Sequence, residues 1–119
     1  MAATVLVVDD HPTFRRFACR MLEQAGFTVV GEAEGCSEAL ERAGALRPQA
    51  VLLDVVLPDG SGLDVAARLS RSFDGMLVVL TSSRSRSDFG AALDDVPAAG
   101  FIPKSSLSGA AFAELLRRQ

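Results

Sequence analysis

Polar side chains come directly after four short apolar segments of the chain, and their types suit one kind of chemistry. Three carboxylates held close together cannot all stay ionised comfortably without a cation, and carboxylate oxygens suit Mg²⁺, with Mn²⁺ as the alternative ion. A lysine ammonium and a threonine hydroxyl can each contact a phosphoryl oxygen. Such a set predicts phosphoryl transfer to a carboxylate, in which catalysis is mainly positioning and charge neutralisation. The residues are Asp9 and Asp10, Asp54, Thr81 with Ser82 and Ser83, and Lys104.

The apolar segments predict five β-strands that must bring these groups together. Several are rich in Val and Leu without polar alternation, which is typical of strands buried on both faces. The predicted strands are Thr4–Val8, Phe27–Val30, Ala50–Leu53, Met76–Leu80 and Gly100–Ile102.

The segments between and after the strands predict five helices, because their apolar residues recur at helical spacing. The first carries Phe14, Phe17, Ala18, Met21, Leu22 and Ala25 and ends at Gly26; the others are Ser37–Leu46, Gly62–Ser72, Ser87–Val96 (weakened by Gly90) and Leu107–Arg118. This (βα)5 order predicts an α/β fold, a doubly wound parallel sheet with right-handed crossovers. Ligands of such folds bind at the carboxyl ends of the strands, where the polar groups are found.

Length and composition limit the classes of protein that fit. A chain of 119 residues predicts a single domain, 1–119. Its net charge of −3 argues against nucleic-acid binding by this domain itself. Apolar runs are far shorter than the roughly 20 residues of a membrane span, and Met1–Thr4 lacks the basic start of a signal peptide. We therefore expect no membrane association and a cytoplasmic location, where Cys19 and Cys36 stay reduced.

Four motifs in this order resemble the receiver domain of bacterial two-component response regulators over essentially the whole chain. The resemblance implies a CheY-like (flavodoxin-like) fold with strand order 2-1-3-4-5. It also implies a domain that catalyses its own phosphorylation and dephosphorylation but is not a turnover enzyme. The motifs are Val8–Pro12, Leu53–Gly62, Leu80–Thr81 and Gly100–Lys104.

The same resemblance implies roles for individual residues. Asp54 would be the phosphoacceptor, taking its phosphoryl group from the phosphohistidine of a sensor histidine kinase or from a small donor. Asp9 and Asp10 would hold Mg²⁺ with Asp54, Asp10 directly and Asp9 through water, together with the backbone carbonyl of Val56. Lys104 and Thr81 would contact phosphoryl oxygens and complete the catalytic set with Asp54. Thr81 and Phe101 would be the switch residues.

The segment Gly100–Ser105 further resembles the NarL/LuxR-type subfamily, whose members usually carry a C-terminal helix-turn-helix. This implies a receiver cut from a longer regulator, with a stand-alone receiver as the alternative. Phosphorylation would then change the face made by the fourth helix, fifth strand and fifth helix. The expected consequence is homodimerisation, through that face or another, or release of a DNA-binding module that controls transcription.

Three departures from the receiver pattern carry expectations of their own. Ser105 stands where many receivers have Pro after a cis peptide, so the geometry of the Lys104–Ser105 peptide is left open. Pro103 fits the fifth strand only if that strand lies at a sheet edge. Val56, two residues after Asp54, cannot orient a hydrolytic water, which predicts slow self-dephosphorylation.

Three other functions fit the same residues less well. A degenerate receiver that only binds partners would not need the intact acidic set. A flavodoxin-like nucleotide or FMN binder is disfavoured because Asp9 and Asp10 would repel a phosphate and the chain has no Trp or Tyr. A phosphatase of the haloacid-dehalogenase type is disfavoured because Val56 replaces its general acid. His11 is assigned to the rim of the site rather than to the metal ligands.

Overall fold

A computed structural model describes residues 3–119 and shows a parallel sheet of five strands. Its spatial order is β2-β1-β3-β6-β7, where β4 and β5 form a separate two-stranded hairpin. When the hairpin is left out, this is the order 2-1-3-4-5, so the predicted fold class is confirmed. The strands are β1 (Thr4–Val8), β2 (Thr28–Ala33), β3 (Ala50–Asp54), β4 (Val56–Leu57), β5 (Gly60–Ser61), β6 (Leu77–Ser82) and β7 (Gly100–Pro103).

Within residues 3–119, four α-helices cover the two faces of the sheet. Pro12 occupies the first turn of α1, where its missing N–H costs nothing. The hydroxyl oxygen of Ser61 accepts a hydrogen bond from Leu63 N at the start of α3, and Ser108 does the same for Ala111 N at the start of α4. The helices are α1 (Pro12–Gln24), α2 (Cys36–Leu46), α3 (Gly62–Ser72) and α4 (Gly109–Arg117).

The core consists of two apolar clusters, one on each side of the sheet, because successive strand residues point to opposite faces. One cluster joins Val7 and Leu52 to Leu22 of α1 and Phe112 of α4. The other joins residues of the same strands, such as Leu53, to side chains of α2 and α3. The central strands are thus buried on both faces, as their composition predicts.

The predicted fourth helix, Ser87–Val96, is wrong. The structure has two short 3-10 turns in its place, Arg86–Asp88 and Gly90–Ala92. Gly90 adopts a φ of +57°, in the left-handed region, which cannot continue an α-helix. Local apolar periodicity predicts a helix here, but Gly90 interrupts it. In addition, Ser85 N donates a hydrogen bond to the Asp88 carboxylate at 3.0 Å, which forms a tight local turn instead.

Smaller differences concern element ends and one exposed side chain. β2 runs three residues beyond the predicted end, and α4 begins after Leu107 rather than at it. Phe17, one of the apolar residues that recur at helical spacing, is 51% exposed, so the buried face of α1 is narrower than that pattern predicts. Pro103 lies on the edge strand β7, as its place in a strand requires. The Lys104–Ser105 peptide is trans, as is every peptide bond within residues 3–119.

Within residues 3–119, no helix has the length and apolar character needed to span a membrane.

Candidate functional site

Four polar side chains lie at the carboxyl edge of the sheet, Asp54 and Thr81 within β3 and β6 and Asp9 and Lys104 one residue beyond β1 and β7. Each stands two positions after a residue of the same apolar cluster, so each points to the side covered by α1 and α4. The strands all end at the same edge, which brings the groups to one place. The pairs are Val7 and Asp9, Leu52 and Asp54, Val79 and Thr81, and Ile102 and Lys104.

The ammonium group of Lys104 bridges two buried carboxylates. Its Nζ lies 2.6 Å from Asp9 Oδ2 and 3.0 Å from Asp54 Oδ2. The side chains of Asp9 and Asp54 are only 0% and 5% exposed, and that of Lys104 is 15% exposed. Two carboxylates that are buried from solvent require a counter-charge, and the ammonium group of Lys104 supplies it.

The turn after β1 completes the acidic cluster. Asp9 Oδ1 accepts a hydrogen bond from His11 N at 2.8 Å, and His11 Nδ1 lies 2.9 Å from the same oxygen. His11 Nδ1 is also 3.2 Å from Asp10 Oδ1. The side chain of His11 remains largely exposed, consistent with the rim position that the sequence predicts.

Burial and neighbouring charge act in opposite directions on these groups. Burial raises the pKa of Asp54 to about 6, and the hydrogen bond with Asp9 adds to this, although Val56 N and Lys104 oppose it. Burial also acts to raise the pKa of Asp9, but Lys104, the N–H of His11 and Asp54 outweigh it and lower that pKa. Burial acts to lower the pKa of Lys104, but its two carboxylate partners outweigh it and raise that pKa. The pair of Lys104 and Asp9 therefore stays charged, and Asp54 is the first of the two carboxylates to become protonated as the pH falls.

The acidic cluster has the donor set of a divalent-cation site. Ligand atoms of Asp9, Asp10, His11 and Asp54 lie within 4.8 Å of one another. Asp10 Oδ1 is buried and accepts no hydrogen bond, although His11 Nδ1 lies 3.2 Å away, and Asp9 Oδ2 has only its ion pair with Lys104. Buried oxygens without donors are costly unless a cation meets them. Three carboxylates with space for water fit Mg²⁺.

Val56 and Gly62 shape the backbone beside Asp54. The N–H of Val56 donates to Asp54 Oδ1 at 3.0 Å, and Val56 is 46% exposed at the mouth of the site. A Cβ at Gly62 would overlap the main-chain oxygen of Asp54, so only glycine allows this close approach. The depression above Asp54 is bounded by Asp10, His11, Val56, Leu57, Pro58, Ser82, Ser83 and Arg84.

The two predicted switch residues lie on the β6 and β7 side of the site. Thr81 pairs with Asp54 in the strand register, and its buried hydroxyl donates to the carbonyl oxygen of Ile102 at 2.7 Å. The hydroxyl is therefore engaged with β7 rather than with the carboxylates. Phe101 is half-buried, and its ring packs edge-on against Phe89 at 6.1 Å.

Sequence reasoning missed Arg15, which holds the backbone of the acidic turn. Its Nη1 donates to the carbonyl oxygen of Asp9 at 2.7 Å, and its Nε donates to Glu32 at 3.1 Å. The sequence signal was the spacing of Arg15 from His11. Arg15 lies one helical turn after His11, so α1 brings its side chain back beside the acidic residues that follow β1.

Asp59 was also missed, although it lies inside a motif that the sequence singled out. Its carboxylate accepts hydrogen bonds from Cys36 N at 2.7 Å and Ser37 N at 3.2 Å, and these hold its pKa below the usual range. Asp59 thereby caps α2 from the β4–β5 hairpin. No local pattern could reveal a cap that comes from a distant segment.

The fold and this site define a class: a doubly wound α/β domain with an acidic, lysine-bridged site at the carboxyl edge of its sheet. The response regulator receiver domain pattern matches residues 5–116, and the chain belongs to that family. Receiver domains of two-component systems bind Mg²⁺ at an acidic pocket and interact with histidine kinases; they are not turnover enzymes in the usual sense.

Individual relatives agree with the subfamily that the sequence predicts. Response regulator GacA of Pseudomonas viridiflava is 38% identical over 114 residues, 95% of this chain and 51% of the relative. The nitrate/nitrite response regulator protein NarL of Escherichia coli K12 is 37% identical over 93 residues, 76% of this chain and 43% of the relative. A LuxR-family two-component response regulator from Aurantimonas sp. SI85-9A1 superposes with a TM-score of 0.90 at 25% identity, covering 100% of this chain and 88% of that one. The resemblance to the NarL/LuxR type is confirmed, and the chain spans about half the length of these curated relatives.

Proposed function

We propose that this receiver domain accepts a phosphoryl group on Asp54. The observation that carries the proposal is the bridge of Lys104 between Asp54 and Asp9, beside the buried Oδ1 of Asp10, which accepts no hydrogen bond. A nucleophilic carboxylate, a fixed ammonium group and carboxylate oxygens able to bind a metal ion are the parts that phosphoryl transfer needs.

In the proposed step, a carboxylate oxygen of Asp54 forms a bond to phosphorus. The bond from phosphorus to the donor breaks, and its electron pair leaves with the donor, which is a kinase imidazole or acetate. The pKa of Asp54, about 6, leaves the nucleophile mostly ionised at neutral pH. Lys104 meets a phosphoryl oxygen as charge builds there.

Asp9, Asp10 and Asp54, with the main-chain carbonyl of Val56, would hold Mg²⁺, or Mn²⁺ in its place. The cation, when bound, neutralises charge on the carboxylates and on the transferred group. The donor set supports this assignment, because all three side chains offer oxygen and Asp10 Oδ1 is buried and accepts no hydrogen bond.

Phosphorylation would be read out through Thr81 and Phe101. The Thr81 hydroxyl would leave the Ile102 carbonyl for a phosphoryl oxygen, and Phe101 would move into the space released. The β6–β7 connection (residues 83–99) packs on Phe101 through Phe89, so it would shift with that ring. A small shift at the site would thus change a larger face and move a two-state equilibrium.

The changed face consists of the β6–β7 connection, β7 and α4. We assign to it control of homodimerisation and of a DNA-binding output module, which would regulate transcription. The relatives named above, about twice as long as this chain, support an output module. The phosphoryl source is a sensor histidine kinase, and the free thiols of Cys19 and Cys36 fit the reducing cytoplasm where its phosphohistidine would be presented.

The test is incubation with acetyl phosphate and Mg²⁺, followed by intact-mass measurement. The wild type should gain one phosphoryl group that alkaline hydroxylamine removes, and Asp54→Asn should gain none. Asp74→Asn is the matched control, since Asp74 is exposed near the opposite edge of the sheet, and it should react like the wild type. An unmodified wild type would instead identify a receiver that only binds partners.

A further inference from the structure

The ammonium group of Lys104 has a third neighbour besides its two carboxylates. The centroid of the Phe14 ring lies 4.2 Å from Lys104 Nζ. Phe14 is in the first turn of α1, on an element that contributes none of the acidic residues. The position of this helix on the sheet therefore brings the ring to the site.

An aromatic face carries partial negative charge and attracts an ammonium group within about 6 Å of its centroid. The ring competes poorly for N–H donors, so the hydrogens of Lys104 remain available to Asp9, Asp54 and an incoming oxygen. Lysine ends a flexible four-carbon chain and loses much rotamer freedom when it is fixed. A third contact restricts further an ammonium group that its two carboxylate partners already hold.

We propose that Phe14 is a positioning residue for phosphoryl transfer, its ring holding Lys104 Nζ at the point between Asp9 and Asp54 where the ammonium group meets a phosphoryl oxygen. This inference rests on the proposed function of Asp54. The ring contact involves no atom of Asp54.

The surroundings of Phe14 fix the ring in this place. It is half-buried and packs against the apolar cluster between the sheet and helices α1 and α4. The ring of Phe17 lies outside that cluster, with its centroid 6.1 Å from that of Phe14 and an interplanar angle of 47°. Phe17 is 51% exposed, and Phe14 is the aromatic residue found over the ammonium group.

The first experiment reads the contact directly. Lys104 is the chain's one lysine, so ¹³C-lysine labelling gives one set of side-chain NMR signals. A ring over Nζ shields the neighbouring ε-methylene protons. We expect these protons upfield of their free-lysine position in the wild type, and near that position in Phe14→Leu. Phe17→Leu, the matched control on the same helix, should leave them unchanged.

The second experiment reads the consequence as the maximal rate of Asp54 phosphorylation by acetyl phosphate at saturating Mg²⁺. Phe14→Leu should be slower by about fivefold, the size of a partly exposed cation–π contact. Replacing Phe14 by 3,4,5-trifluorophenylalanine keeps the shape but weakens the negative face, and should give an intermediate rate. Phe17→Leu should react at the wild-type rate.

Together, the NMR experiment and the rate experiment test the role of Phe14 separately from the proposed function of Asp54. A wild type without phosphorylation at Asp54 contradicts the proposed function, while the NMR shift still tests the contact. A wild type that is phosphorylated, with the trifluorinated protein equally fast, overturns the role of Phe14, since a purely packing role depends on shape alone. Lys104 signals that are the same in the wild type and Phe14→Leu overturn it as well.

Discussion

The two sides of the functional edge are built differently. The side formed by β1 and β3 ends in buried carboxylates that Lys104 ties together at 2.6 and 3.0 Å. The side formed by the β6–β7 connection has one buried residue, Leu93, and its ion pair between Arg86 and Asp94 is 58% and 67% exposed. The first side is held by strong, desolvated interactions and the second by weak, local ones. The chemistry is thus placed on the rigid part of the edge and the proposed readout on the part with low local stability.

Removing Lys104 should have the largest effect. Lys104→Ala leaves two buried carboxylates without their counter-charge, and the loss of one member of a buried pair costs about 3 kcal/mol. Arg86→Ala is the control on the weak side, where an exposed pair contributes less than about 0.5 kcal/mol. Urea unfolding in EDTA measures both free energies. Equal losses of unfolding free energy in Lys104→Ala and Arg86→Ala would contradict the proposed difference between the two sides of the edge.

The pH dependence of stability should come next. Because the folded-state pKa of Asp54 is raised to about 6, its ionisation costs free energy in the folded protein. The protonated Asp54 carboxyl stabilises the folded protein. This stabilisation is complete below the unfolded-state pKa of about 4 and is lost as the pH rises through about 6. In EDTA, Asp54→Asn should therefore be more stable than the wild type at pH 7.5 by about 2 kcal/mol, and the difference should vanish near pH 4. A constant difference from pH 4 to pH 7.5 would show that Asp54 is not destabilised by ionisation.

The third prediction concerns Val56, which is exposed at the mouth of the site. An apolar group there cannot orient water, so the acyl phosphate should hydrolyse slowly. Val56→Asn supplies a donor and an acceptor and should speed hydrolysis about tenfold. The loss of phosphoprotein after donor removal measures both rates. A wild-type half-life of seconds, or no acceleration in the variant, would count against this role.

The smallest effect tests the β6–β7 connection itself. Gly90 has a φ of +57°, with open space where a Cβ would lie, so Gly90→Ala should cost about 1 kcal/mol through backbone strain alone. Thermal unfolding measures the change. A stabilised variant with increased helical circular dichroism would mean that residues 87–96 are helical after all, as periodicity suggested.

Local pattern was sufficient wherever local and tertiary preferences agree. The strands Thr4–Val8 and Ala50–Asp54 lie where their Val and Leu runs predict, and their following acids lie at the common edge because parallel strands end together. The segment after Ser82 is the exception. Its apolar residues have helical spacing, but one glycine in the left-handed region prevents the α-helix.

The composition and order of the segments by themselves predicted the layers and the meeting of Asp9, Asp10, Asp54 and Lys104, since parallel strands end at a common edge. The strand order came from the resemblance of the motifs to receiver domains. Tertiary packing decided the rest. It placed the ring of Phe14 over Lys104. It also brought the Asp59 carboxylate to the N-terminus of α2 and the Thr81 hydroxyl within hydrogen-bond distance of the Ile102 carbonyl oxygen. The physical reason is that these contacts join segments far apart in the chain. They depend on the distances and rotamers that form when helices close over the sheet, which no local sequence pattern encodes.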